Sequence, residues 1–187
     1  MGDRGAEALD CRDQVDPAGH PPAGPTDKST ERTPAQPTDK SAMRYYEVKP
    51  LVAGELSEGT VMDTSVHPPI VSKLHYQFDA WLGDVLVTSF PCFLVTEEAK
   101  RGLLAIGISG ATFADAEVTI SEDFYLVQPD VELPPFVWLK VDGRAGHDDF
   151  GINQNLNLVM SERAFDVLDE LLGLPSASIK RFDDGNK

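Results

Sequence analysis

Basic residues are scarce in this chain. Its 187 residues hold 16 Lys and Arg against 31 Asp and Glu, a formal net charge of −15. Phosphate backbones are bound by clustered Lys and Arg, so the balance argues against a nucleic-acid binder, and anionic membrane surfaces are disfavoured for the same reason. Only two cysteines occur, Cys11 and Cys92, without a CxxC or zinc-ligand spacing. That leaves no case for a disulfide framework. Cys92, between Pro91 and Phe93 in an apolar run, reads as a small buried hydrophobe. No apolar run approaches the ~20 residues that span a bilayer. The first 30 residues hold no apolar stretch of signal-peptide type. Together these absences predict a cytoplasmic protein in a reducing compartment.

Residues 1–44 lack Phe, Tyr and Trp, yet carry six of the 14 prolines, and PTDKS occurs in them twice, at 25–29 and 37–41. Such a segment buries too little apolar surface to offset the entropy of ordering, so it is predicted to be a disordered tail. Its net charge is only −2, which leaves −13 in residues 45–187. The acidity therefore belongs to the part expected to fold, a single domain over 45–187. An acidic surface speeds encounter with a basic partner, and equally keeps a protein soluble.

From Tyr45 onward the chain reads as short strands separated by turns. Strands are expected at 45–48, 61–62, 70–74, 76–81, 85–88 and 93–95, with GELSEGT (54–60) as a loop. FLVTEEAKRGL (93–103) and LVMSERAFDVL (158–168) then say nearly the same thing about 65 residues apart. Thr96 and Ser161 are placed as helix N-caps, with Glu97, Glu98 and Glu162 in the first turn, where the helix dipole favours acids. Ala164, Phe165, Leu168, Leu171 and Leu172 follow at helical spacing; Ala99, Leu103 and Ile106 do so more weakly because Gly102 interrupts. Each helix leads on to a strand, AEVTI (116–120) in one copy and SIKRF (178–182) in the other. DFYLVQP (123–129) and LPPFVWLKV (133–141) read as further strands, and HDDFGI (147–152) leads to one at 156–160. The pattern predicts an α+β fold with a mixed or largely antiparallel sheet and two helices, built around two strand–helix–strand units.

Chemistry is thinly marked. His147, Asp148 and Asp149 form the one His–acid cluster, and His147 with Asp149 is the best catalytic pair on offer. The cluster follows a Gly-rich turn, DGRAG, so a solvated turn with one acid capping it is the simpler reading. His67 and His75 lack partners at ligand spacing. GISG (107–110) is not followed by the Lys of a phosphate-binding loop, and Ser161 has no GxSxG around it. No motif calls for a cofactor or a metal. Glu122, Asp123, Asp130 and Glu132 bracket one expected strand in loops; they are either ordinary solvated acids or part of an acidic face for a basic partner.

FDAWLGD (78–84), FPCFLVTEEAKRGL (90–103), LPPFVWLKV (133–141), and DDFGI followed by LVMSERAFDVL (148–168) resemble, in that order, a family of small immunity proteins of bacterial polymorphic toxin systems. The likeness spans roughly residues 45–183 and rests mostly on core and cap residues. It implies a non-enzymatic antidote that binds and neutralises a cognate toxin. On that reading the acids Asp148, Asp149, Glu122, Asp123, Asp130 and Glu132 are the candidate partner-binding residues, and a basic nuclease-type toxin domain is the partner that the charge suits. The alternative is an acidic adaptor or secretion chaperone with a flexible N-terminal arm.

Overall fold

A computed structural model describes residues 43–183, so the expectation of a disordered tail falls, but for its last two residues, outside the described part. Thirteen strands and three helices lie in that part. The class is α+β with mostly antiparallel sheets, as the sequence predicts.

Two four-stranded sheets form the main body. In the first, β11 (Phe150–Ile152), β12 (Leu158–Ser161), β1 (Tyr45–Lys49) and β13 (Ser178–Phe182) lie in that order. In the second the order is β6 (Leu86–Ser89), β7 (Cys92–Thr96), β10 (Phe136–Val141) and β8 (Ala111–Ala114). All neighbours in both are antiparallel. Helix α1 (Glu97–Ala105) follows β7 directly, and α3 (Glu162–Glu170) follows β12 in the same way.

The doubled sequence is thus a doubled structure, and the hydrogen bonds match position by position. Thr96 Oγ1 accepts from Ala99 N at 3.2 Å, and Ser161 Oγ accepts from Ala164 N at 3.3 Å. Thr96 N donates to Val85 O at 3.0 Å; Ser161 N donates to Asp149 O at 2.8 Å. Glu97 N donates to Pro135 O and Glu162 N to Arg44 O, both at 2.8 Å. The strand pairs agree, with Phe136 opposite Thr96 and Tyr45 opposite Ser161. β10 and β1 are therefore equivalent strands. Each has crossed over: β1, which leads the chain into the β6–β7–α1–β8 half, lies in the sheet of the other half, and β10, which leads into β11–β12–α3–β13, lies in the first. The halves exchange one strand each, which ties them together.

The strand equivalent to SIKRF is β8, in a stretch given no element by its sequence. AEVTI does form a strand, β9 (Glu117–Ile120), but it pairs in parallel with β5 (His75–Phe78) in a three-stranded sheet completed by β2 (Gly54–Leu56). The expected 54–60 loop thus opens with a strand. β3 (Val61–Asp63) and β4 (Ile70–Lys73) form a separate hairpin. The expected strand at 123–129 is a helix, α2 (Glu122–Val127): Ser121 Oγ accepts from Phe124 N at 3.2 Å, and this cap with two acids in the first turn outweighs the β-type composition of FYLV.

One core lies between the two large sheets and the long helices. Ala99 and Leu103 of α1 meet their equivalents Ala164 and Leu168 of α3 there, with Val48 and Leu139 from the exchanged strands, all fully buried. Gly102 lets the helices approach, since a Cβ on it would sit 2.8 Å from Val167 Cγ1. Gly110 has φ +76° and passes so close to β11 that a Cβ would stand 2.2 Å from Phe150 O. A second core joins β7 and β10 to the three-stranded sheet through Tyr76, Phe78, Phe124, Phe136 and Trp138.

Candidate functional site

The six acids expected to bind a partner fall in two different places. Asp149 is not a surface acid: it is 3% exposed. Its carboxylate accepts from Ser161 Oγ at 2.6 Å, Ser109 N at 2.8 Å and Arg163 Nε at 2.6 Å, and also from Arg163 Nη2. Burial pushes its carboxyl up, but the Arg163, Ser161 and Ser109 hydrogen bonds and the guanidinium charge prevail and hold it down at about 2. The charge stays on and every oxygen is occupied inside the protein, which removes Asp149 from any partner-binding face. The reason was hidden from the sequence: Arg163 lies fourteen positions on, at the start of α3. Asp148 accepts from Arg144 N at 2.8 Å and so closes the turn before β11, the capping role expected for one of this pair. His147 is exposed and is not among Asp149's hydrogen-bond partners, so the catalytic pair does not assemble. Burial raises the Cys92 thiol to about 12, which leaves it protonated and a poor nucleophile.

The other four acids lie in the first turn of α2 and in the segment after it. Phe124 is 1% exposed and anchors the helix in the second core. Beyond the helix, Gln128 clasps the backbone of Trp81: its Oε1 accepts from Trp81 N at 2.7 Å and its Nε2 donates to Trp81 O at 2.9 Å. Trp81 Nε1 in turn donates to Asp84 O at 2.9 Å. The clasp brings the 81–82 segment beside the end of α2. With Phe124 inward, the remaining apolar side chains of this six-residue helix are left outside. Tyr125 is 61% exposed, Leu126 79% and Val127 70%, with Leu82 at 58% across the clasp. Glu122 and Asp123 at the start of the helix, and Asp130 and Glu132 after it, are all exposed. Large apolar side chains are thus exposed along one short helix, with exposed carboxylates before and after them in the chain. Sequence reasoning singled out these four acids but not the exposed apolar side chains between them, because it took 123–129 for a strand.

Among the described residues, no three His, Cys, Asp or Glu side chains gather in a group able to hold a metal. No helix among them is long and apolar enough to cross a membrane. His75 Nε2 lies 2.9 Å from Thr119 Oγ1 and links β5 to β9. His67 stands against Phe90, with ring centroids 6.0 Å apart.

No protein-family model matches this chain, and no curated protein matches it.

Proposed function

We propose that this is an immunity-type binding protein that acts in the cytoplasm, docking on a toxin through the surface of α2 and blocking it without catalysis. The observation that carries the reading is the exposed run Tyr125, Leu126 and Val127 on α2, flanked along the chain by the exposed acids Glu122, Asp123, Asp130 and Glu132. A concentration of exposed large apolar side chains on a folded domain points to an interface, and stable interfaces pair an apolar, often aromatic, centre with a polar rim. An acidic rim selects a partner whose own apolar patch is bordered by Lys and Arg, and speeds its capture. A nuclease-type toxin domain, basic because it handles phosphates, has that chemistry. The likeness of the motifs at 78–168 to immunity proteins supports the same reading from a separate direction.

The test is growth of cells expressing the reading frame next to this protein's gene, with and without this protein. Specific rescue, together with a stable purified pair that Leu126→Asp splits, is the expected result. Toxicity without rescue overturns the reading and favours the adaptor, whereas rescue that Leu126→Asp leaves intact keeps the antidote but removes α2 as its docking surface.

A further inference from the structure

The two exchanged strands carry equivalent lysines. Lys49 follows Val48, which pairs with Leu158; Lys140 follows Leu139, which pairs with Phe93, the residue equivalent to Leu158. Both lysines line one cleft of about 460 Å³, formed where the C-terminal ends of β1 and β10 come together. The volume suits a small organic ligand. Val48, Leu139, Cys92 and Leu158 at its base are all buried, and Trp138 is nearly so. Four prolines, Pro50, Pro68, Pro69 and Pro91, complete the lining and bring no N–H donors. The polar groups nearby are largely spent: Thr88 donates to Cys92 O at 2.8 Å and Asn157 to Glu47 at 3.2 Å. What remains to recognise a ligand is the pair of ammonium groups. Both lysines are exposed at their heads, and among the described residues neither has a carboxylate within ion-pair distance. Lys140 Nζ stands 4.6 Å from the centre of the Trp138 ring, a placement that keeps it over the cleft wall.

We infer that this cleft is a binding site for an amphipathic monoanion: an aliphatic or aromatic body seated on Trp138 and Leu158, with its carboxylate held between Lys49 and Lys140. In a domain of net charge −13, two lysines without an ion-pair partner among the described residues, over one apolar cleft, are the local exception that charge complementarity turns into selectivity. The site does not depend on the toxin-binding reading, since neither lysine belongs to the α2 surface.

Trp138 reports on the site directly. In the full chain carrying Trp81→Phe, Trp138 is the one remaining tryptophan, and its emission is followed during titration with decanoate and, separately, with decanol. The expected result is a saturable change at one decanoate per chain, and clearly weaker binding of decanol. The Lys49→Gln/Lys140→Gln double variant weakens decanoate about tenfold, the size of one net charge-assisted contact, and leaves decanol unchanged. Both lysines are exposed, so the variant keeps the thermal midpoint of its parent. Calorimetric titration of the unsubstituted chain repeats the measurement without any change at Trp81. A signal that never saturates, equal binding of decanol and decanoate, or indifference to the double variant overturns the inference.

Discussion

Arg163 holds Asp149 and, with the same guanidinium, the end of the other long helix. Nη1 donates to Ile106 O at 3.1 Å and Nη2 to Gly107 O at 3.3 Å, just past the C-terminus of α1. The pair is therefore a joint between the two halves, not an isolated ion pair. Removing the buried partner strands the other's bonds, so Asp149→Ala is expected to cost about 3–5 kcal/mol. In the other half the equivalent position is Val85, also buried, so the apolar solution already exists in this protein. Asp149→Val with Arg163→Leu is accordingly expected to cost less than the two single changes added together. Urea unfolding of the four proteins reads the coupling, and strict additivity would contradict the joint.

The same carboxylate makes stability depend on acid. Its folded pKa, about 2, lies below the ordinary aspartate value. A depressed carboxyl contributes stability that is fully present above the unfolded pKa and is lost as pH falls through the folded one. About 2 kcal/mol is therefore expected to disappear between roughly pH 4 and pH 2. Unfolding midpoints across that window should fall more steeply for the unsubstituted protein than for Asp149→Asn, which has no charge to lose there.

The repeat was legible in the sequence because caps and helical spacing are local signals. Thr96 and Ser161 announced two helices, and the alternation of Tyr76 and Phe78 announced β5. The strand exchange was not legible, since β1 and β12 meet across more than a hundred positions and nothing local to Tyr45 names Ser161 as its partner. The same holds at the site. Exposed acids could be found by type, but Asp149 could not be told from Asp148 without Arg163, and α2 hid behind residues of strand composition.

Ser161 and Thr96 cap equivalent helices but carry unequal loads. Thr96→Ala loses one cap, an expected cost of about 1 kcal/mol. Ser161 Oγ also donates to Asp149 at 2.6 Å, so Ser161→Ala loses a bond to a buried charge as well and is expected to cost about 2–3 kcal/mol. Chemical denaturation of both variants ranks them; a larger effect at Thr96 would contradict the assignment.

Gly102 is a residue where helix propensity and packing disagree. Alanine gains about 1 kcal/mol of helix propensity over glycine. Its Cβ would meet Val167 Cγ1 at 2.8 Å, with a β-branched side chain that has little room to turn. Overpacking at such a contact costs about 1–3 kcal/mol, so Gly102→Ala is expected to destabilise on balance. Val167→Ala made in that background opens the space and should recover part of the loss, although the same change in the parent destabilises.

Within α2, neighbouring residues are expected to separate stability from binding. Phe124→Ala removes a side chain that is 1% exposed and should cost about 3–5 kcal/mol. Leu126→Asp changes a side chain that is 79% exposed and should shift stability by no more than about 0.5 kcal/mol. For binding the ranking of direct effects reverses: Leu126→Asp places a charge among the exposed apolar side chains and should weaken the proposed complex with a toxin by about 2 kcal/mol or more. Replacing Glu122, Asp123, Asp130 and Glu132 by their amides should instead slow association and flatten its salt dependence, with a smaller effect on dissociation. Thermal midpoints and binding kinetics at two salt concentrations, measured on the same variants, read both halves of the prediction. Leu126→Asp that unfolds the protein, or leaves the complex untouched, would remove α2 from the interface.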